Sequence, residues 1–239
     1  MRYIRIIPEQ QQEADMSSKE KVLSQPKTMV QGEGGRAAEK SALRTQRLAI
    51  LGVLAALVVV LAVAGAIPVG TFTITLTLVP IVVGAILYGW QGGALLGTIF
   101  GVIVAIQVVT GAAGAFSTAM LEYAPAVTVL TCILKGTAAG LFAGLFFRWF
   151  SRRNLYLGTI MAAIIAPVAN TGIFSIMCLS VFRPLVLSAL GLTAESGGVL
   201  TAFLVGFIGV NFFIELVINI VLAPVIMRIV TAAKKNVIH

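Results

Sequence analysis

The sequence is poor in charged residues. Asp, Glu, Lys and Arg make up 11% of its 239 residues, whereas a soluble domain carries about 25%. Hydrophobic residues reach 59%, and the mean hydropathy is +1.01. The apolar runs are continuous, while the strands of a membrane barrel alternate apolar and polar residues. These features exclude a soluble protein and a barrel, and they predict an all-α integral membrane protein.

Residues that hold metals or carry out catalysis are also scarce. The two cysteines, Cys132 and Cys178, lie in apolar runs without a CxxC motif, and the single histidine is His239. This predicts inert buried thiols, no metal site and no bound cofactor. The Lys-Gly-Thr at Lys135 lacks the upstream glycine of a phosphate-binding loop. Because GxSxG, HExxH and surface carboxylate pairs are missing too, we do not expect an enzyme.

Six apolar runs follow one another along the chain. They cover residues 44–65, 76–90, 92–110, 121–150, 156–181 and 199–231. All but the second approach or exceed the roughly 20 residues that a membrane-spanning helix needs. The sequence therefore predicts a domain of six transmembrane helices over residues 44–235.

The basic residues predict how this domain is oriented. Fifteen of the 17 Lys and Arg lie before or at the start of the first run, or at or just beyond the ends of the fourth and sixth runs, which six spans place on one side. Such an excess marks the cytoplasmic side. We therefore expect a multi-pass protein of the cell membrane with both termini in the cytoplasm. The net charge of +8 is attributed to topology and anionic lipid, and not to nucleic-acid binding.

The first 43 residues differ from the rest of the chain. Residues 1–43 are rich in Gln, Ser, Lys, Glu and Gly, which predicts a disordered cytoplasmic tail. They lack the succession of basic region, apolar region and cleavage site that a signal peptide shows. Met16 opens a more ordinary start, so translation from Met16 and not from Met1 is an open alternative.

Small residues recur at every fourth position in several runs. Glycines with this spacing occur in the third and fourth runs: Gly93, Gly97 and Gly101, then Gly136, Gly140 and Gly144. The spacing allows two helix backbones to approach closely, so these two glycine ladders are interpreted as packing positions. Gly52 and Ala56 in the first run have the same spacing, and they could pack internally or dock a partner helix.

The first connection on the side opposite the termini has an alternating pattern. Residues 67–78 alternate threonine with apolar side chains, which predicts extended, strand-like structure. A lone strand would leave its backbone groups unpaired in lipid. We therefore expect this segment to fold over the ends of the helices as a lid.

Three polar side chains in the last run share one helix face. Asn211, Glu215 and Asn219 are spaced four residues apart, so they form one slowly drifting stripe. An ionisable group in hydrocarbon costs roughly 2.5 kcal/mol or more, so it must face protein, water or a ligand. Lys135 is predicted at a similar depth, and a buried Lys135–Glu215 ion pair is the simplest arrangement. The pair could fix helix register, or it could contact a substrate or an ion.

Other side chains could line a cavity that opens on the side opposite the termini. Asn170 in the fifth run and Gln107 in the third could join Asn211 there, although amides in membrane helices also link helices to one another. Aromatic residues cluster at this end, among them Phe72 and Tyr123. They could form an interfacial belt or the walls of a pocket, and the pocket is favoured because several lie in or beside the expected lid.

An ordered set of segments resembles the substrate-binding S components of energy-coupling-factor (ECF) vitamin importers. The segments are RLAILGVLAAL at 47–57, LTLVPIVVGAILYGWQGGALLG at 76–97, LKGTAAGLFAG at 134–144, APVANTGIF at 166–174 and NFFIELVINIVLAP at 211–224. Together the resemblance covers residues 44–232, which is the whole predicted membrane domain.

The resemblance implies a six-helix subunit that captures a water-soluble vitamin from outside and has no ATPase of its own. It would dock on an ECF transmembrane coupling subunit that works with two ATPase subunits. In that family a small-residue motif in the first helix faces the coupling subunit. Gly52 and Ala56 match its position, with glycine replacing the first alanine. The first outer loop gates the pocket in that family, which corresponds to residues 67–78 here.

The resemblance also suggests a substrate. The Asn-Thr-Gly at Asn170 and the Asn-x3-Glu-x3-Asn pattern from Asn211 are most similar to members assigned to pantothenate. An anionic, hydroxylated ligand would suit two asparagines and one cation, either Lys135 or Arg183. Folate or another vitamin is an alternative ligand. Two other classes of protein stay open: an ion-coupled carrier with Glu215 or Lys135 as its ion site, and a scaffold in which that pair only fixes register.

Overall fold

The computed structural model of the chain describes five stretches of residues. They are 30–64, 67–69, 72–74, 76–193 and 198–237. The chain divides into two units, Met1–Leu48 and Ala49–His239. The described part of the first unit belongs to the beginning of one helix, and all the packing considered below lies within the second unit.

The described residues form helices and one small sheet. In chain order the elements are α1 (Val30–Val63), β1 (Ile67–Val69), β2 (Phe72–Ile74), α2 (Leu78–Val109), α3 (Ala115–Tyr123), α4 (Pro125–Phe150), α5 (Leu155–Ser180), α6 (Arg183–Leu190), α7 (Val199–Ala202), a π-helical segment (Phe203–Gly209) and α8 (Val210–Val237). Five described segments are long and apolar enough to cross a membrane: Arg44–Val63, Leu78–Val109, Pro125–Phe150, Leu155–Ser180 and Phe212–Ala232. The helical membrane architecture is thus confirmed, whereas six spans and cytoplasmic termini stay predictions.

Helix α1 begins earlier than the composition of the tail predicts. It starts at Val30, so residues 30–43, assigned above to a disordered tail, are helical. The sequence at 37–40 is Ala-Ala-Glu-Lys, and these residue types have high intrinsic helix propensity. For residues 1–29, which lie outside the described part of the chain, the tail stays a prediction.

The longest helix, α2, folds back on itself at Gly89. This glycine has φ 73° and ψ −169°, a conformation that residues with a side chain rarely adopt. A Cβ placed on Gly93 would lie 2.7 Å from the Cβ of Ala85, although residues eight apart on a continuous helix are separated by about 12 Å. Residues 78–88 and 90–109 therefore run antiparallel. The predicted break between the second and third runs lies here, and residues 78–88, about 16 Å long, are too short to span a bilayer.

The two glycine ladders pack against each other. A Cβ on Gly101 would lie 2.6 Å from the carbonyl oxygen of Cys132. At the other end of the contact, a Cβ on Gly144 would lie 2.5 Å from the Cα of Trp90. The intervening glycines face each other in pairs: Gly93 with Gly140, and Gly97 with Gly136. The second segment of α2 and α4 therefore run antiparallel with their backbones in contact, which confirms that the ladders are packing positions.

The alternating segment after α1 forms a β-hairpin, as its pattern predicts. Strands β1 and β2 pair antiparallel, with Ile67 opposite Ile74 and Val69 opposite Phe72. Strand β2 lies against helix α8. Pairing within the hairpin satisfies backbone groups that a lone strand would leave open. The extended conformation is confirmed, while its action as a lid stays a prediction.

Several helix boundaries differ from those of the apolar runs. Connections predicted as loops contain α3 and α6. The fourth run begins as a helix at Pro125 and not at residue 121. Proline suits the first turn of a helix, and it forces Ala124 before it out of the helical region, to φ −151° and ψ 82°. The last run is interrupted by the π-helical segment before α8. Hydrophobicity alone does not mark such breaks.

The two largest apolar clusters of the described residues lie towards opposite ends of the helix bundle, and a third, smaller cluster joins α2 and α4 at Ala105, Val108 and Cys132. The end that carries the β-hairpin, α3 and α6 is called the hairpin end, and the opposite end, with Gly89 and the turn 151–154, is called the Gly89 end. The hairpin-end cluster contains six buried residues: Phe116, Met120, Cys178, Phe182, Val186 and Phe203. The Gly89-end cluster takes buried residues from five helices, among them Leu54, Ile86, Ala143, Ala166 and Ile226.

Candidate functional site

Four polar side chains lie between the two apolar clusters. We call these four residues the polar layer: Lys135, Asn170, Glu215 and Asn219. Glu215 and Asn219 lie on α8 between Phe212, which packs against the hairpin-end cluster, and Ile226, which belongs to the Gly89-end cluster. Lys135 on α4 and Asn170 on α5 lie in the corresponding intervals between members of the two clusters. Polar groups at this depth must be satisfied by protein, water or ligand, because lipid offers no hydrogen bonds.

The cation of this layer lies on an aromatic ring. The Nζ of Lys135 on α4 is 5.1 Å from the centroid of the Phe174 ring on α5. This is within the roughly 6 Å range of a cation–π interaction, which is worth about 2 kcal/mol or more when it is desolvated. The ring holds the ammonium between the two helices and leaves its N–H groups available to a hydrogen-bond acceptor.

Glu215 lies deeper than the Lys135–Phe174 contact. The hydroxyl of Thr159 is 3.9 Å from the sulfur of Met227, and Phe174 and Phe212 pack against the same apolar cluster, so α5 and α8 run antiparallel. By this alignment Phe174 is level with residue 212, and Glu215 is about 4.5 Å nearer the Gly89 end. Glu215 is only 6% exposed, and its carboxylate interacts with the charge of Lys135. No direct salt bridge between the two is seen in the described part of the chain, and the predicted ion pair stays a prediction.

Hydrogen-bond acceptors without partners mark the same layer. The Nδ2 of Asn219 donates to the carbonyl oxygen of Glu215 over 2.8 Å, but its Oδ1 is buried without a partner. The Oδ1 of Asn170 is also buried and unpartnered, and Thr77 Oγ1, just before α2, is the third such atom among the described residues. Buried polar atoms are nearly always hydrogen-bonded, and exceptions point to water, an ion or a ligand.

The polar layer has one side chain that is positively charged and donates hydrogen bonds, and three side chains whose oxygens accept them. Lys135 offers a positive charge and N–H donors, while Glu215, Asn170 and Asn219 present oxygen acceptors. A ligand that complements this set has one anionic group and several hydroxyl or N–H donors. In the described ranges no cluster of three or more His, Cys, Asp or Glu occurs that could hold a metal ion.

Three other candidate residues lie away from the layer. The Nε2 of Gln107 donates to the carbonyl oxygen of Ala62 over 2.8 Å, so Gln107 ties α2 to α1. By the glycine alignment it is level with residue 126, about 14 Å from Lys135 along α4. Arg183 is the exposed first residue of α6. Tyr123 is 53% exposed and meets Phe182 edge to face, with ring centroids 6.2 Å apart. The structure thus leaves these three at the hairpin end.

Two candidates lie outside the residues whose side chains the structure describes. The backbone of Asn211 belongs to the first turn of α8, and that of Phe72 belongs to β2. Their positions place both at the hairpin end, and Asn211 lies about one helical turn before Glu215. Whether they contact a ligand stays a prediction.

The small residues of α1 lie on an open face of that helix. Gly52 is exposed, and a Cβ added to it would meet nothing within 4 Å. Ala56 is exposed as well, one turn further along, and the neighbouring Val53 and Val60 are 68% and 57% exposed. Internal packing, one of the two roles that the spacing allows, is therefore overturned for this pair. The buried face of α1 instead contains Leu54, Val58 and Ala62.

Sequence reasoning did not identify Phe174 as the partner of Lys135, nor Cys178 as a neighbour within reach of its charge. A signal was present, because Asn170, Phe174 and Cys178 are spaced four residues apart in α5. That is the same spacing as in the stripe of α8. Two stripes on adjacent helices would have indicated a shared interface.

Comparisons with known proteins identify one family. A protein-family model described as "ECF transporter, substrate-specific component" matches residues 46–227. No curated protein sequence matches the chain. The matched range begins before Gly52, contains the whole polar layer and ends within α8.

Proposed function

The chain belongs to the family of substrate-specific components of ECF transporters, and on that premise we propose that it captures pantothenate for import. Its membership makes it a multi-pass membrane protein that binds a transport substrate and is not an enzyme. Such a component acts with an ECF module and its ATPases. The identity of the vitamin, the site and the docking surface are the parts that we propose.

The observation that carries the proposal is the polar layer, with one cation and unpartnered acceptors. Pantothenate has one carboxylate, two hydroxyls and one amide N–H. In the proposed complex the carboxylate accepts hydrogen bonds from Lys135, held on Phe174. The hydroxyl and N–H groups donate to Oδ1 of Asn170 and Asn219, which have no partner in the protein. A charge-assisted bond of this kind is about twice as strong as a neutral one.

The balance of charges favours pantothenate over folate. A folate brings two carboxylates, whereas the polar layer offers one lysine and already contains the acidic Glu215. A second carboxylate at this depth would be desolvated without a counter-charge, which is costly. In our proposal Glu215 does not contact the ligand. It serves as the counter-charge of Lys135 when no ligand is bound.

The hairpin end supplies the proposed entrance to the site. Strand β2 lies against α8, the helix that carries Asn211 in its first turn. We place Asn211, Arg183 and Phe72 along the entry path, where they meet the ligand as the hairpin orders over it. Motion of the energised partner then reorients the protein and releases the ligand on the cytoplasmic side.

The open face of α1 is the proposed docking surface for the coupling subunit. Gly52 and Ala56 leave room for a second helix to approach the backbone. Apolar side chains surround them, so a partner helix within the bilayer would meet no charge in this part of α1. The position agrees with the small-residue motif of the family.

The proposal is tested by native mass spectrometry of the purified chain, followed by titration calorimetry. We expect one bound molecule with the mass of pantothenate, and 1:1 binding after its removal. The mass of another vitamin would contradict pantothenate and leave substrate capture intact. Proton-dependent uptake into liposomes by the chain alone, without ATPases, would instead establish an ion-coupled carrier.

A further inference from the structure

A groove on the outside of the helix bundle lies between α4 and α5. It has a volume of about 390 Å³, within the usual range of small-molecule pockets. Eight residues line it: Leu134, Thr137, Ala138, Leu141, Phe142, Ile173, Ile176 and Met177. Seven of the eight are apolar.

The groove offers no free polar group. Its one hydroxyl, on Thr137, is 2.8 Å from the carbonyl oxygen of Ile133 and 2.8 Å from the hydroxyl of Thr98. Both bonds lie within the protein, so nothing in the groove would satisfy a polar ligand. A hydrocarbon chain fits this lining, and a water-soluble vitamin does not.

The groove ends towards a cluster of arginines. Leu134, Leu141 and Arg148 are spaced seven residues apart on α4, so they lie on nearly the same face. From Leu141 to Arg148 the distance along the helix is about 10 Å. Arg152 and Arg153 follow in the turn that joins α4 to α5, and all three arginines are exposed.

These arginines have no acidic neighbour on either helix. Residues 125–180 contain four basic side chains and no Asp or Glu. The two helices also meet closely below the groove, because a Cβ on Gly158 would lie 2.9 Å from the backbone nitrogen of Ser151. Clustered arginines at the membrane surface attract anionic headgroups. Trp149 and Tyr156, 67% and 47% exposed, mark the interface at this level.

We propose that the α4–α5 groove binds one acyl chain of an anionic phospholipid whose headgroup is held by Arg148, Arg152 and Arg153. The arginine cluster selects an anionic headgroup, and the groove binds the acyl chain of the same lipid. Because the groove is apolar and the polar layer is not, this site is distinct from the proposed vitamin site.

The experiment measures lipid retention by native mass spectrometry. Detergent-purified protein is incubated with equal amounts of phosphatidylglycerol or phosphatidylcholine that carry identical acyl chains. We expect the wild-type protein to retain one phosphatidylglycerol in preference to phosphatidylcholine. Arg148→Gln should lower that preference about fivefold, the equivalent of about 1 kcal/mol per arginine. Arg228→Gln removes an exposed arginine from α8 and should leave the preference unchanged.

The groove is tested by filling it from both sides. Ala138→Leu on α4 and Ile176→Trp on α5 should each reduce retention of both lipids, while Ala232→Leu, which adds the same side chain at an exposed position of α8, should not. Thermal unfolding identifies any variant that fails to fold. If one groove variant does not fold, lipid retention by the other groove variant tests the proposal. Unchanged retention in a folded groove variant, or an equal effect of Arg148→Gln and Arg228→Gln, would overturn the proposal.

Discussion

Replacement of Lys135 tests the proposed recognition of the carboxylate directly. Lys135→Gln keeps a hydrogen-bond donor of similar length but removes the charge from the ring of Phe174. A hydrogen bond to a charged group contributes about 1.5–3 kcal/mol. We therefore expect the affinity for pantothenate to fall about 10- to 150-fold.

The assay compares two ligands. Titration calorimetry is carried out with pantothenate and with pantothenol, in which a hydroxymethyl group replaces the carboxylate. If Lys135 holds the carboxylate, the wild-type protein prefers pantothenate by about the same 10- to 150-fold, and Lys135→Gln binds the two ligands almost equally. Lys135→Arg should retain most of the preference, because the charge is kept.

Stability must be separated from recognition in this experiment. Removal of Lys135 leaves the carboxylate of Glu215, which is 6% exposed, without the cation that interacts with it. An uncompensated buried charge destabilises a protein by several kcal/mol. The substitution is therefore repeated in a Glu215→Gln background, where thermal unfolding should recover.

Two results would refute the reasoning about Lys135. One is an equal loss of affinity for both ligands, which would show that the lysine supports the fold and does not read the carboxylate. The other is a Glu215→Gln, Lys135→Gln variant that is stable and still prefers pantothenate. Arg183→Gln would then be the next variant to examine, since Arg183 is the exposed cation at the start of α6.

The other predictions concern the acceptors, the glycine packing and the docking face. Asn170→Ala should weaken pantothenate binding about 2- to 10-fold in calorimetry by removing one ligand hydrogen bond, whereas Gln107→Ala should lower the unfolding temperature and leave affinity unchanged. Gly97→Leu should prevent folding, because the leucine side chain would collide with the backbone of α4. Gly52→Ala should fold normally, and size-exclusion chromatography distinguishes the two variants. Ala56→Phe should abolish co-purification with the coupling subunit and ATPases but keep vitamin affinity; retained assembly would contradict the docking face.

Features encoded by local pattern could be predicted from the sequence. The glycine ladders imply close helix packing because four-residue spacing puts the small residues on one face. The alternation of residues 67–78 implies strands because successive side chains point to opposite sides. Both hold in the structure, as Gly101 lies against Cys132 and β1 pairs with β2.

Features that depend on backbone detail could be predicted only in part. The boundary between the second and third apolar runs placed a break near Gly89, but it did not show that residues 78–88 would be a half-length helix. Helices α3 and α6 lie in stretches that hydropathy assigns to loops, because a short helix on the bundle needs no spanning length. The helical conformation of residues 30–43 likewise follows from propensity, which a composition-based disorder prediction does not weigh.

The candidate site shows the same division. The sequence singled out Lys135, Glu215 and Asn170, because a polar group in hydrocarbon is conspicuous. It paired Lys135 with Glu215 by depth alone. The structure adds Phe174 as a partner of the lysine, which depth could not reveal, since the partners of a flexible side chain depend on how neighbouring helices are aligned to within a single turn.

By itself the sequence determined that this protein is a helical membrane protein, which residues it buries in the membrane at a cost, and which family it resembles. Those properties follow from composition and from periodicity within single segments. Tertiary structure alone decided that Gly52 and Ala56 face outwards, that Gln107 ties two helices, and that acceptors on α5 and α8 are buried without partners. Each of these depends on the rotation and register of one helix against another, and no single segment encodes them.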